Sequence, residues 1–275
     1  MKIKRYASSG DYLKDIEPLL LENEYLNNLM LGILYKSKDK PATSSDLYLM
    51  ISHEDRFLVG MISGLYLILY ANTDLEEFYE QLANYLMEHD IQYPGIIGPV
   101  ACCEAFKKAF ESKTKQSMKL LMNQRIFIIN EVKQFTKLES NIELAKASDI
   151  DYLKDWMFDF LEVAKENPTY EHAKHKVEEL ISSKSLYLLR YKDQIVSMAA
   201  STRPFMNGVS VSFVYTPNRF RNHGFASKCV ELLTEKLLKT YDYCTLYTDL
   251  SNPTSNSIYQ KIGYRPVGDS AVYVK

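Results

Sequence analysis

Apolar positions along the chain switch between a helical and a strand period in a similar order twice. In the first half, Asp11–Leu21 and Glu24–Tyr35 carry helical spacing. Leu47–Ser52, Phe57–Ile62 and Leu65–Ala71 then read as three strands of an antiparallel meander. Asp74–Glu88 returns to the helical period through Leu75, Phe78, Leu82, Tyr85 and Leu86. A short strand at Ile96–Val100, a helix at Cys103–Ser112 and a strand at Arg125–Val132 complete the half.

The polar stretch Lys133–Ser140 predicts a boundary between domains spanning residues 1–135 and 136–275. Beyond it, a strand at Ile142–Lys146 precedes helices at Ser148–Val163, with Ser148 as the expected N-cap, and at Tyr170–Ser182. Three strands follow at Ser185–Tyr191, Gln194–Arg203 and Val209–Thr216. Their expected turns are Lys192-Asp193 and Asn207-Gly208, the latter being the strongest hairpin signal in the chain. A loop at Pro217–His223, a helix at Gly224–Thr240, a strand at Tyr243–Thr248, a helix at Pro253–Ile262 and closing strand structure within Tyr264–Tyr273 end the pattern. A meander followed by crossover helices predicts an α/β chain of the α+β kind: mixed, mostly antiparallel sheets flanked by helices.

With 46% hydrophobic and 25% charged residues among 275, the chain can bury a core in each half. Its 33 Lys and Arg against 35 Asp and Glu leave a net charge of −2, which argues against broad binding to nucleic acid or an anionic membrane. Met1–Lys14 lacks the apolar run of a signal peptide, and Phe57–Ala71 is too short and glycine-interrupted to span a bilayer, so a cytoplasmic location is expected. Cys102, Cys103, Cys229 and Cys244 have no zinc-type spacing, and no metal is expected. His172 and His175 read as a solvated helix face.

The chemistry concentrates in Val214–Ala226. A β-branched strand through Val214, Tyr215 and Thr216 stops at Pro217, a loop bearing Arg219 and Arg221 follows, and Gly224 opens a helix. A helix N-terminus offers unpaired N–H groups and the positive end of the dipole. Small residues at Gly224 and Ala226 let an anion approach that backbone, which suits a phosphate or pyrophosphate. Neither a P-loop nor the dinucleotide glycine fingerprint is present. After the next strand, Asn252-Pro253 begins a helix on which Ser255 and Tyr259 share a face and which Gly263 ends.

Taken together, the segment Arg221-Asn222-His223-Gly224-Phe225-Ala226, which fits Gln/Arg-x-x-Gly-x-Gly/Ala, and the later Asn252, Tyr259, Gly263 and Tyr264 resemble the GNAT superfamily of acyl-CoA N-acyltransferases. The resemblance covers about residues 142–275. The N-terminal half, with the same element order and no such motif after Tyr93–Val100, looks like a diverged second GNAT-like unit that shapes the acceptor cleft or mediates assembly.

The resemblance implies acetyl-CoA as acyl donor and a primary amine, on a small molecule or peptide, as acceptor. It implies that the strand holding Val214, Tyr215 and Thr216 pairs with the pantetheine arm. It implies that Arg221, Asn222, His223, Gly224, Phe225, Ala226 and Ser227 cradle the pyrophosphate, with Asn252 and Ser255 near the cofactor arm. Tyr259 takes the place of the general acid, and a backbone N–H near Val214 or Tyr215 that of the oxyanion donor. The general base stays open among Glu162, Glu166, Glu171, His172 and a water chain. Two other readings keep the loop: a longer acyl-CoA or aminoacyl-tRNA donor, and a non-catalytic acyl-CoA sensor.

Overall fold

The computed structural model describes residues 1–133 and 136–275. Gln134 and Phe135, on which the expected boundary falls, lie outside the described residues. The first ten elements are β1 (Lys2–Arg5), α1 (Ser9–Leu21), α2 (Asn28–Ser37), β2 (Leu47–His53), β3 (Arg56–Ile62), β4 (Leu67–Ala71), α3 (Glu76–Glu88), β5 (Gly95–Pro99), α4 (Val100–Thr114) and β6 (Lys119–Ile129). The rest are β7 (Asn141–Leu144), α5 (Ile150–Val163), α6 (Tyr170–Ser182), β8 (Leu186–Tyr191), β9 (Gln194–Thr202), β10 (Gly208–Tyr215), α7 (Phe225–Leu237), β11 (Tyr243–Asp249), α8 (Pro253–Ile262) and β12 (Arg265–Val274). Short 3-10 turns lie at Ala147–Asp149 and Asn218–Phe220. Helices and strands therefore follow the order β-α-α-β-β-β-α-β-α-β twice.

The chain forms two compact units, and they are not consecutive in sequence. One comprises Met1–Ile126, Tyr247–Pro253 and Pro266–Lys275, and the other Phe127–Leu246 and Thr254–Arg265. In the first unit, β12 pairs antiparallel with β5, from Ser270 opposite Pro99 to Val274 opposite Gly95. Ala271 and Tyr273 enter a core built from Leu58, Leu69, Phe78, Leu82, Phe106 and Phe110. In the second unit, Phe127 and Ile129 at the end of β6 join the core beneath α7. A strand late in the sequence thus completes the first unit, and the end of an early strand serves the second. Hydrophobic alternation fixes which face a strand buries, and says nothing of which sheet receives it.

β1 has no apolar stripe. Its four residues are all exposed, and it exists because Lys2–Arg5 pair in register with Ser52–Leu49 of β2. Ser148 is not the cap of α5: it lies inside the 3-10 turn, and the Asp149 carboxylate accepts the Lys146 N–H at 2.7 Å. Lys192 and Asp193 both adopt positive φ, 46° and 62°, as a two-residue type I′ hairpin requires. Asn207-Gly208 is no such turn. Gly208 already belongs to β10, and the connection from Thr202 is a wider loop closed by the Phe205 N–H on the Gly208 carbonyl at 2.9 Å.

The second unit's sheet carries a core on each face. Tyr187, Leu189, Val196, Ala199, Val209 and Val211 pack against α7. Leu186, Leu188, Met198 and Ala200 pack against α5 and α6 with Leu153, Trp156, Met157 and Val177. Neighbouring residues falling in opposite layers is the period of two expected of a sheet covered on both sides. Among the described residues, no helix is long and apolar enough to cross a membrane.

All four cysteines are free and buried. Desolvation pushes the Cys102 and Cys103 thiols up, and those of Cys229 and Cys244 up to about 12. The thiolate is the reactive form, and little of it exists at pH 8. Native protein is therefore expected to react slowly with dithionitrobenzoate, releasing the four equivalents only on denaturation. A fast-reacting thiol in the folded protein contradicts this packing.

Candidate active site at the end of β10

β10 pairs in parallel with β11 only from Gly208–Ser210 to Tyr243–Thr245. Val211–Tyr215 then run on with no β11 partner among the described residues. On its other side β10 pairs with β9, but the register slips between Ser212, opposite Ala200, and Tyr215, opposite Met198. Phe213 has φ +52°, and two residues stand where the partner strand has one: a β-bulge.

The bulge inverts the strand. Val209 and Val211 face the α7 layer, and simple alternation would carry Phe213 and Tyr215 there too. Instead Val214 packs with the α7 layer, while Phe213 and Tyr215 turn to α5 and α6. The sequence pattern of Val209, Val211, Phe213 and Tyr215 hides this change of face.

Beyond the bulge, polar contacts fix the backbone. The buried Ser197 hydroxyl donates to the Tyr215 carbonyl at 3.1 Å and meets the Thr216 hydroxyl at 2.9 Å. Arg221 Nε donates to the Thr216 carbonyl at 3.0 Å, curling the loop back on the strand. Arg221 also lies over the Tyr215 ring, 6.0 Å from its centroid. His223 Nδ1 is 2.7 Å from the Arg221 carbonyl, and its ring stacks on Phe225 at 5.7 Å.

Asn222 (φ +65°) and Gly224 (φ +78°) are both left-handed, and they aim the chain into α7. No side chain caps α7 from Gly224. Among the described residues a Cβ at Gly224 would meet only Leu138 at 3.6 Å and Thr136 at 4.0 Å, so the backbone conformation, more than space, favours glycine there. Arg221, Asn222, His223 and Gly224 are exposed, whereas Phe225 and Ser227 are buried and anchor the first turn.

Tyr259 on α8 is 8% exposed and packs among the α7-side core, with ring centroids 6.4 Å from Phe127 and 6.0 Å from Tyr264. Burial pushes its phenol up to about 12. Gly263 ends α8 at φ +116°, and the Tyr264 N–H returns to the Tyr259 carbonyl at 3.0 Å, as a glycine C-cap predicts. The buried Tyr264 hydroxyl meets Thr234 at 2.7 Å, a packing role in helix α7's flank. Ser255 lies one turn before Tyr259 on α8, half-buried. Asn252 belongs to the first compact unit.

One group escapes the sequence reading. The Tyr215 hydroxyl, brought to the α5 side by the bulge, donates to Asp159 Oδ2 at 2.5 Å. Burial and that carboxylate push the phenol up to about 12, so the proton stays on Tyr215. Trp156, one turn back on α5, lies 5.9 Å from the Tyr215 ring and 4.6 Å from Tyr152. The spacing of Tyr152, Trp156 and Asp159 on one helix face is visible in the sequence, but what that face meets is not. Glu162, Glu166, Glu171 and His172 are all exposed.

In the first unit the element order places the corresponding strand-to-helix turn at Asn72–Leu75, between β4 and α3, rather than after Tyr93–Val100. This turn lines an open cleft of about 500 Å³ with Arg56, Tyr79 and Cys102. It has no glycine opening the helix. The Asn72 side chain is committed to local backbone, accepting from Phe57 N–H at 2.7 Å and donating to the Asp55 carbonyl at 2.9 Å.

Residues 191–274 match the family model described as FR47-like protein. No curated protein matches the chain. Among solved structures, a GNAT-family acetyltransferase from Colwellia psychrerythraea aligns over 100% of both chains at 12% identity and a TM-score of 0.59. A GCN5-related N-acetyltransferase from Sphaerobacter thermophilus aligns over 99% of this chain and 95% of its own, at 11% identity and 0.63. A Drosophila malonogaster protein aligns over 99% and 98%, at 10% identity and 0.65. At these identities the likeness establishes the fold. The protein has the GNAT fold over its whole length, with an FR47-like segment from β8's last residue through β12.

Proposed function

We propose that the second unit transfers an acetyl group from acetyl-CoA to a primary amine. The observation that carries this is the run from the β10 bulge to Gly224: a strand end open on its β11 edge, an arginine-bearing turn and a helix N-terminus with no side-chain cap among the described residues, in succession. Each suits one part of the donor. The free strand edge offers main-chain donors and acceptors to an amide-bearing arm. The exposed turn at Arg221–Gly224 and the first N–H groups of α7 suit a pyrophosphate. Acetyl-CoA supplies an activated thioester carbonyl.

The chain's own groups do the rest. A bulge leaves an extra residue out of the ladder, which makes an N–H near Val214 or Tyr215 the candidate donor to a developing oxyanion. Tyr259, neutral throughout the working pH range, protonates the departing thiolate. The match is uneven. A phenol at about 12 against a thiol near ~8.5 makes the proton transfer uphill by about 5 kcal/mol. General-acid help, commonly about 10²–10⁴-fold, should therefore fall at or below its lower end.

Tyr259→Phe is expected to lower kcat by about 10–100-fold while leaving acetyl-CoA affinity within about twofold. Steady-state kinetics with parallel calorimetric titration reads both. Unchanged kcat makes Tyr259 a packing residue. Failure of folded wild type to bind acetyl-CoA overturns the donor assignment.

A further inference from the structure

We propose that Asp159, with the aromatic rings of Tyr152, Trp156 and Tyr215 beside it, is the recognition site for the acceptor's ammonium, and that the acceptor is a primary alkylammonium with an apolar body. The inference rests on the acyl-transfer reading for the word acceptor, but its geometry stands on other residues.

Asp159 is an exposed carboxylate whose Oδ2 accepts from the Tyr215 phenol. Among the described residues it has no cationic partner, although two arginines lie close to the same rings. Both are held by groups other than Asp159. Arg221 bonds the Thr216 carbonyl and the Tyr215 hydroxyl, and Arg219 bonds the Tyr152 hydroxyl. Oδ1 has no protein donor among the described residues. A ligand ammonium can approach it from solvent with the phenol holding the other oxygen, and so the carboxylate plane, in place.

Position ties this carboxylate to the chemistry. Tyr215 is one residue past the bulge, so its main chain lies where the oxyanion donor is expected while its hydroxyl touches Asp159. An amine held at Asp159 is thus one tyrosine side chain from the reacting carbonyl. Trp156 is 5% exposed and Tyr215 8%, with Tyr152 half-buried, so the wall beside the carboxylate is apolar and aromatic. Such a wall suits a hydrocarbon body and disfavours a heavily hydrated polyol or nucleotide.

The chain's single tryptophan is Trp156, so intrinsic fluorescence reports this site without turnover. The probes are phenethylamine and its uncharged analogue 2-phenylethanol, titrated into the full chain with and without saturating CoA. The amine should give a saturable change and bind at least about tenfold tighter than the alcohol, as a charge-assisted bond requires. Asp159→Asn should remove that preference. Tyr215→Phe, which keeps the carboxylate, should retain it. Equal affinity for amine and alcohol, a preference that survives Asp159→Asn, or no saturable response up to about 50 mM amine, well above the concentration that saturates a millimolar site, overturns the proposal. Calorimetric titration of acetyl-CoA separates the two readings. Loss of acetyl-CoA binding with the amine preference intact removes the acyl-transfer function and leaves the ammonium site. Acetyl-CoA binding without amine preference removes this inference alone.

Discussion

Gly224→Glu is expected to weaken acetyl-CoA binding at least about 100-fold, equivalent to roughly 2.8 kcal/mol. Two effects add. The position has φ +78°, where an L-residue costs about 1–2 kcal/mol, so the loop relaxes away from its cradle geometry. A carboxylate at the N-terminus of α7 then competes for the same N–H groups and dipole that would hold a pyrophosphate. Gly224→Ala separates them. Its Cβ meets Leu138 and Thr136 only at ordinary contact distance, so it adds strain without collision or charge. It should cost about 1 kcal/mol of stability and less than about tenfold in affinity. Calorimetric titration of the three proteins decides. Equal losses in the two variants would leave the electrostatic account of the loop without support.

Sequence alone reveals this loop because its information is local. Gly224 before α7 and Gly263 after α8 are each demanded by one backbone conformation at one helix end, and each is found in that role. What the sequence hides is non-local. β1 has no hydrophobic signal, because its stability comes from pairing with β2. β12 reads as the last strand of the second half, yet its partner β5 lies some 170 positions earlier, as in the pairing of Val272 with Ile97. The candidate site divides along the same line. The proposed anion cradle lies within one loop, whereas the meeting of Tyr215 and Asp159 depends on a bulge that turns a strand over. Strict alternation assigns Tyr215 to the wrong face, and no base candidate chosen from the α5–α6 connection could reveal Asp159.

The largest stability effect is expected from Lys228→Met. Lys228 and Glu231 stand three apart on α7, a spacing that on an exposed helix face gives an ion pair worth about a few tenths of a kcal/mol. In the fold, Glu231 is fully buried and Lys228 Nζ lies 2.7 Å from its Oε1, with the lysine side chain 13% exposed. Thr136 crosses over them. Its hydroxyl and N–H donate to Glu231 Oε2 at 2.8 and 3.3 Å, and its carbonyl accepts from Lys228 at 3.5 Å. Removing the lysine leaves a carboxylate inside the second unit without its ammonium, which costs about 3–5 kcal/mol, a large share of a domain's usual 5–15. Glu231→Gln should cost less, because an amide oxygen still accepts from Thr136 and the freed ammonium can reach water. The double variant Lys228→Met, Glu231→Leu buries no charge and should recover most of the loss, as apolar replacement of buried pairs commonly does. Urea unfolding followed by Trp156 fluorescence reports the second unit specifically, which matters because a two-unit chain need not unfold in one step. If the double variant is as unstable as Lys228→Met, the hydrogen bonds to Thr136, rather than the ion pair, hold this segment over α7.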